Sequence, residues 1–129
     1  MQKHHIKAFV GVDKGKINVG LSLVEFKENN ITIIYSPALD LSGYGNNTDE
    51  ARQSFEVSLR EFLKYTTSKS TLNEVLMNLG WTINGSSTKP KYRPPLDTEL
   101  ISKNETYSEI INKKNYSVSR QYVDLEING

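Results

Sequence analysis

Ala51, Phe55, Leu59, Phe62 and Leu63 recur at steps of three and four residues, a spacing that gathers all five onto one face of an α-helix. Residues 48–66 therefore read as one long amphipathic helix. Asn47 or Thr48 caps its start, and Asp49 and Glu50 occupy the first turn, where the helix dipole favours negative charge. Arg52, Glu56 and Arg60 follow at four-residue steps on the outer side. A helix with a single apolar stripe has to cover a second layer. Burying Phe55, Leu59 and Phe62 contributes roughly 1.5–3 kcal/mol each before entropy is subtracted.

The preceding residues supply that layer. Ile6, Ala8, Val10 and Val12 alternate with other residues at a period of two, as in a strand with one buried face. Asp13 to Lys16 is a polar turn. A second strand runs through Ile17, Val19, Leu21 and Leu23, then changes phase to Val24 and Phe26, which predicts a β-bulge near Leu23. Glu28 to Asn30 makes another turn, Ile31, Ile33 and Tyr35 form a third strand, and Pro37 ends its ladder. The connections are too short for crossovers, so an antiparallel meander is expected.

After the long helix, Thr71 and Glu74 have the spacing of a capping box ahead of Leu72, Val75, Leu76 and Leu79. Gly80 stops that second helix, and Trp81 folds back on its last turn. Trp81 to Ile83 has room for a short strand. Ser86 to Pro95 is rich in Ser, Lys and Pro and reads as an extended connector. Beyond it, Thr106 and Glu109 box a short helix carrying Tyr107, Ile110 and Ile111, and Val123, Leu125 and Ile127 alternate in a last strand. The expected organisation is a domain over residues 1–85 and a proline-tethered extension over 86–129. With so few apolar anchors, that extension must dock on the domain, a sister subunit or a partner.

The fold class is thus α+β: an antiparallel sheet of three to four strands covered by one long helix, with a tail holding a short helix and a strand. With no cysteine in the chain, disulfides, thiolate nucleophiles and cysteine zinc sites are excluded together. A net charge of +1 points to no particular partner. No apolar run approaches the roughly 20 residues that span a bilayer, and Met1 to Val12 lacks a signal-peptide core. A cytoplasmic protein with no membrane contact is expected.

Catalytic constellations are sparse. Val10 to Leu23 resembles the first two strands of RNase H-like nucleases of the RuvC type, which place a metal-binding aspartate at the end of strand one; Asp13 holds that place. Paired divalent ions need several carboxylates, and the segment after the helix, Trp81 to Gly85, has none. Asp40 and Asp49 sit in a turn and a helix start, where acids have structural reasons to be. His4 and His5 lack a third ligand at useful spacing. Neither a serine triad nor a phosphate-binding loop appears, so no catalytic residue, metal or cofactor is expected.

Tyr35-Ser-Pro-Ala-Leu-Asp-Leu-Ser-Gly-Tyr-Gly45, followed by Thr48-Asp-Glu-Ala51 opening a helix, resembles HicB-family antitoxins over about residues 17–68. The resemblance implies a partial RNase H-like fold of three antiparallel strands, a helix and often a fourth strand, without nuclease activity. It also implies a partner: a small HicA-type toxin, a ribonuclease whose active site the antitoxin blocks. Such proteins are commonly homo-oligomers, and many carry a C-terminal DNA-binding module. Here residues 89–129 match neither helix-turn-helix nor ribbon-helix-helix, so DNA binding is not expected. The surface at Asp40, Ser42 and Tyr44, with Tyr107 and Tyr122 of the tail, is the expected contact region. The alternatives are an orphan HicB-like regulatory or scaffold homo-oligomer and, last, a metal-dependent nuclease using Asp13.

Overall fold

A computed structural model describes residues 12–13, 16–85 and 90–126 of the 129-residue chain. The strand expected over residues 6–12 lies outside these residues except at its end. In chain order the elements are β1 (Val12–Asp13), β2 (Lys16–Glu28), β3 (Ile31–Ser36), β4 (Leu41–Gly45), α1 (Thr48–Ser68) and α2 (Leu72–Asn78). They continue with β5 (Thr82–Gly85), β6 (Pro90–Arg93), α3 (Asp97–Lys103), α4 (Glu105–Lys113) and β7 (Tyr116–Glu126). The class is α+β: β1, β2, β3, β4 and β7 make an antiparallel sheet, and β5 and β6 pair separately.

Asn29 and Asn30 close the β2–β3 hairpin with φ of 54° and 68°. Asparagine tolerates that left-handed backbone better than most residues, and two such residues in a row match the twist of the flanking strands. β3 and β4 then follow in register, Ile34 opposite Gly43. α1 starts at the Asn47 cap, whose side chain accepts a hydrogen bond from Glu50 N at 2.9 Å. Its buried face, Ala51, Phe55 and Leu59, meets Val19, Leu21, Leu23 and Ile34 of the sheet. α2 adds Leu72 and Leu76 to this core, and Trp81 closes it with its indole N–H donating to Ala38 O at 2.8 Å.

The predicted bulge at Leu23 is absent: β2 pairs β7 residue by residue from Lys16 to Phe26. The change of phase has another cause. Leu21 and Leu23 face α1, whereas Val24 and Phe26 face the opposite side, where they pack with Tyr35, Leu100, Tyr107 and Ile110 in a second core under α3 and α4. Successive stretches of β2 are buried on opposite faces, 19–23 against α1 and 24–26 against α3 and α4, so its apolar residues change phase without any break in the ladder.

Residues 90–126 are bound more firmly than the composition of this part of the chain suggests. β7 pairs β2 from Tyr116 to Glu126. Its first half carries exposed Ser117, Ser119 and Arg120, so only Val123 and the residues near it show a buried-strand signal. The expected connector is half strand, β6 pairing β5 from Pro90 to Arg93. Two caps also differ from expectation. The side chain of Thr71 makes no cap bond, and Asn104 rather than Thr106 caps α4, accepting from Tyr107 N at 2.9 Å.

Candidate functional site

Two surfaces bear on function: the β3–β4–α1 corner that holds the predicted contact residues, and a groove on the other side of β3.

At the corner, α1 lies directly against β4. A Cβ on Gly43 would sit 2.2 Å from Phe55 N, and one on Gly45 2.5 Å from Ala51 N; only glycine permits backbones to approach this closely. Ser54 Oγ accepts from Tyr44 N at 3.0 Å, and Ser58 Oγ donates to Ser42 O at 3.0 Å. The helix thereby occupies main-chain groups of β4 that an added strand would need. Of the predicted contacts, Asp40 is exposed and left-handed, φ 57°, and its carboxylate accepts from Tyr35 Oη at 2.7 Å. Ser42 is half-buried, and Tyr44 is 56% exposed.

The two tail tyrosines are not part of this corner. Tyr107 is 2% exposed and belongs to the second core; a side chain that has given up its water to neighbours within the fold offers no contact surface, which removes it from the predicted set. Tyr122 is half-buried on β7, opposite Gly20 of β2. Burial also governs the phenols. Tyr35 is held well above its ordinary value by desolvation, opposed by a hydrogen bond from Asn104 and reinforced by Asp40. Tyr107 is pushed up to about 12 by burial, then by the charge and hydrogen bonding of Asp97. Both stay protonated at neutral pH and act as hydrogen-bonding core residues rather than bases.

The groove has a volume of about 570 Å³. Its floor is β2 from Asn18 to Ser22, one wall is Tyr92 to Asp97 with Leu100, and Pro37 and Ala38 close another side. Among the described residues, Arg93 and Arg120 line it as cations and Asp97 as an acid. A Cβ on Gly20 would be 2.9 Å from Arg120 Nη1 and 3.1 Å from Tyr122 Cε2, so the missing side chain is what lets both lie over β2. Neither Arg93 nor Arg120 has an ion-pair partner among the described residues. The sequence reading passed over Arg93, Arg120 and Gly20. A glycine inside an otherwise regular strand is the one local signal of close approach that it carried.

Among the described residues no group of three or more His, Cys, Asp or Glu is placed to hold a metal ion. His4, His5 and the side chain of Asp13 lie outside the described set; the backbone of Asp13 pairs with Lys16. No helix among the described residues is long and apolar enough to cross a membrane. Comparison of the chain with protein-family models, with curated proteins and with solved structures found no match.

Proposed function

We propose that this chain is a non-enzymatic binding protein of HicB-like antitoxin type, which sequesters a small HicA-type ribonuclease toxin in the cytoplasm. The observation that carries the reading is that the residues of the resemblance form one packed unit. Tyr35 to Gly45 make the end of β3, a turn and β4, and α1 follows at once and seats on Gly43 and Gly45. A sheet meander leading straight into a covering helix is the arrangement that the resemblance implies. The unit leaves Asp40 and Tyr44 exposed at its rim, as a contact surface for a partner requires. Aromatic residues dominate such contacts, because they bring large area at low entropic cost. Catalysis plays no part in this role, and self-association of the domain accompanies it.

The test is a titration of purified protein into a HicA-type toxin encoded beside it, following cleavage of a structured RNA. Cleavage should cease near equimolar protein, and Tyr44→Asp should weaken the inhibition by tenfold or more, equivalent to about 1.4 kcal/mol. Undiminished cleavage at excess protein, with no complex on size exclusion, refutes the proposal. A stable homo-oligomer under those conditions would leave the orphan scaffold as the surviving reading.

A further inference from the structure

Two asparagines in the chain precede a glycine, Asn84 and Asn128, and of these Asn84 lies among the described residues. It stands near the end of β5 and is exposed, as is Gly85 after it, whose φ is 87°. Ile83 and Tyr92 tie the β5–β6 hairpin to the main core, and Tyr92 Oη donates to Asn73 Oδ1 at 2.6 Å. Among the described residues β5 and β6 form a separate sheet of two strands. A lone pair of strands is marginal by itself, so its end opens readily. The last rung is weaker still, because Gly85 faces Pro90, which has no N–H to give.

The side chains of Asn47, Asn73 and Asn104 are occupied, accepting from Glu50 N, Tyr92 Oη and Tyr107 N. Among the described residues no hydrogen bond holds the side chain of Asn84. It can turn its amide carbon toward the nitrogen of Gly85. Glycine brings no Cβ to obstruct that approach, and asparagine is one of the thermolabile side chains.

We propose that Asn84 is a self-modifying site, at which the main-chain nitrogen of Gly85 displaces the side-chain amide while the end of the β5–β6 hairpin is open. The one co-reactant is water. Gly85 N bonds to Asn84 Cγ, the Cγ–Nδ2 bond breaks, and the proton of Gly85 N leaves with the amide as ammonia. A succinimide ring remains. Water then adds to one of the two ring carbonyl carbons, and the bond from that carbon to nitrogen breaks. Opening at Cγ leaves aspartate; opening at the main-chain carbon leaves isoaspartate, with the chain running on through the side chain. Water in and ammonia out balance the sequence, and no electron is transferred. Aspartate would face Lys91 in the existing register, an opposite-charge pair that suits the hairpin. Isoaspartate adds a methylene group to the main chain and displaces the rung beyond it. This chemistry needs no partner, so it is independent of the antitoxin reading.

The test incubates the purified full chain at pH 7 and at pH 9 and digests aliquots for mass spectrometry. The peptide holding Asn84 should gain the mass of water less ammonia, and its isoaspartyl isomer should be present. Conversion should run at least about tenfold faster at pH 9, because the attacking nitrogen has to give up its proton. Tyr92→Phe removes the bond to Asn73 and should speed conversion about two- to tenfold by letting the hairpin open more often. Asn73→Ala removes the same bond from α2 and should act alike. An unchanged Trp81 emission spectrum verifies that each variant is folded. Asn84 left intact at pH 9 overturns the proposal, whether or not Asn128 converts. Conversion to aspartate alone also overturns it, since direct hydrolysis forms no ring. So does conversion at the parent rate in both variants, since the hairpin then does not gate the reaction.

Discussion

Gly43→Ala adds one methyl group at the tightest point of the fold. Its Cβ would lie 2.2 Å from Phe55 N and 2.5 Å from both Ala51 O and Phe55 Cα. All three are helix backbone, so no rotamer change relieves the clash, and α1 has to withdraw from β4 as a body. Ordinary contact begins at 3.4 Å, so the shift is about 1.2 Å. A gap of ~0.5–1 Å already forfeits a quarter to a half of a dispersion contact. Phe55 and Leu59, at 0% and 5% exposure, are worth roughly 1.5–3 kcal/mol each when buried, and forced overpacking adds about 1–3 kcal/mol. The expected loss is therefore about 2–5 kcal/mol, against a total stability on the order of 5–15 kcal/mol for a domain. The opposing effect, a stiffer unfolded chain, returns only about 0.4–1 kcal/mol. Urea unfolding followed by Trp81 emission measures the change as a lower midpoint. Gly20→Ala is the internal control, because its Cβ meets only the movable ends of Arg120 and Tyr122, and it should shift stability by less than about 1 kcal/mol. If Gly43→Ala is as stable as the parent, or if the two glycines respond alike, the close seating of α1 on β4 is wrong.

Trp81→Phe leaves Ala38 O without its indole donor in a buried site, so a loss of about 1–3 kcal/mol is expected in the same denaturation assay, read by circular dichroism. Trp81 is the chain's single tryptophan and 4% exposed; its emission should be blue-shifted when folded and move to the red on unfolding. Asn47→Ala removes the α1 cap and should cost about 1 kcal/mol, whereas Thr48→Ala should not reproduce the loss through capping. Stability should also fall in alkali. Unfolded phenols ionise near pH 10, while Tyr107 is pushed up to about 12 and Tyr35 is held higher than its ordinary value. Their contribution is complete below pH 10 and is lost as the pH climbs through the folded values, by at most about 1.4 kcal/mol per pH unit for each phenol. Urea midpoints at pH 9 and pH 11.5 test this, and a Tyr35→Phe, Tyr107→Phe double variant should flatten the dependence.

Local spacing was enough to place α1 on its correct face, because Ala51, Phe55 and Leu59 lie within three turns of one another and share one environment. The same holds for the Asn29–Asn30 turn and the Gly80 stop, whose backbone demands, φ of 54°, 68° and 99°, are written in the residue types themselves. The second core was not legible in this way. Val24 and Phe26 showed only that the alternation broke; that the break marks a face covered by Leu100, Tyr107 and Ile110 depends on residues more than seventy positions away. β7 is the extreme case. Ser117, Ser119 and Arg120 have no strand-like pattern, and they become strand because β2 offers its edge to the whole segment from Tyr116 to Glu126. The groove follows from the same cause. Its lining comes from β2, the segment from Tyr92 to Leu100 and β7, so Arg93 and Arg120 share it although 27 positions separate them in the chain. A helix carries its hydrogen bonds within itself, so its sequence states where it will form and which side it buries. A strand's main-chain bonds belong to its neighbours, so its position, its open edges and any site built along them are settled only when the chain closes on itself.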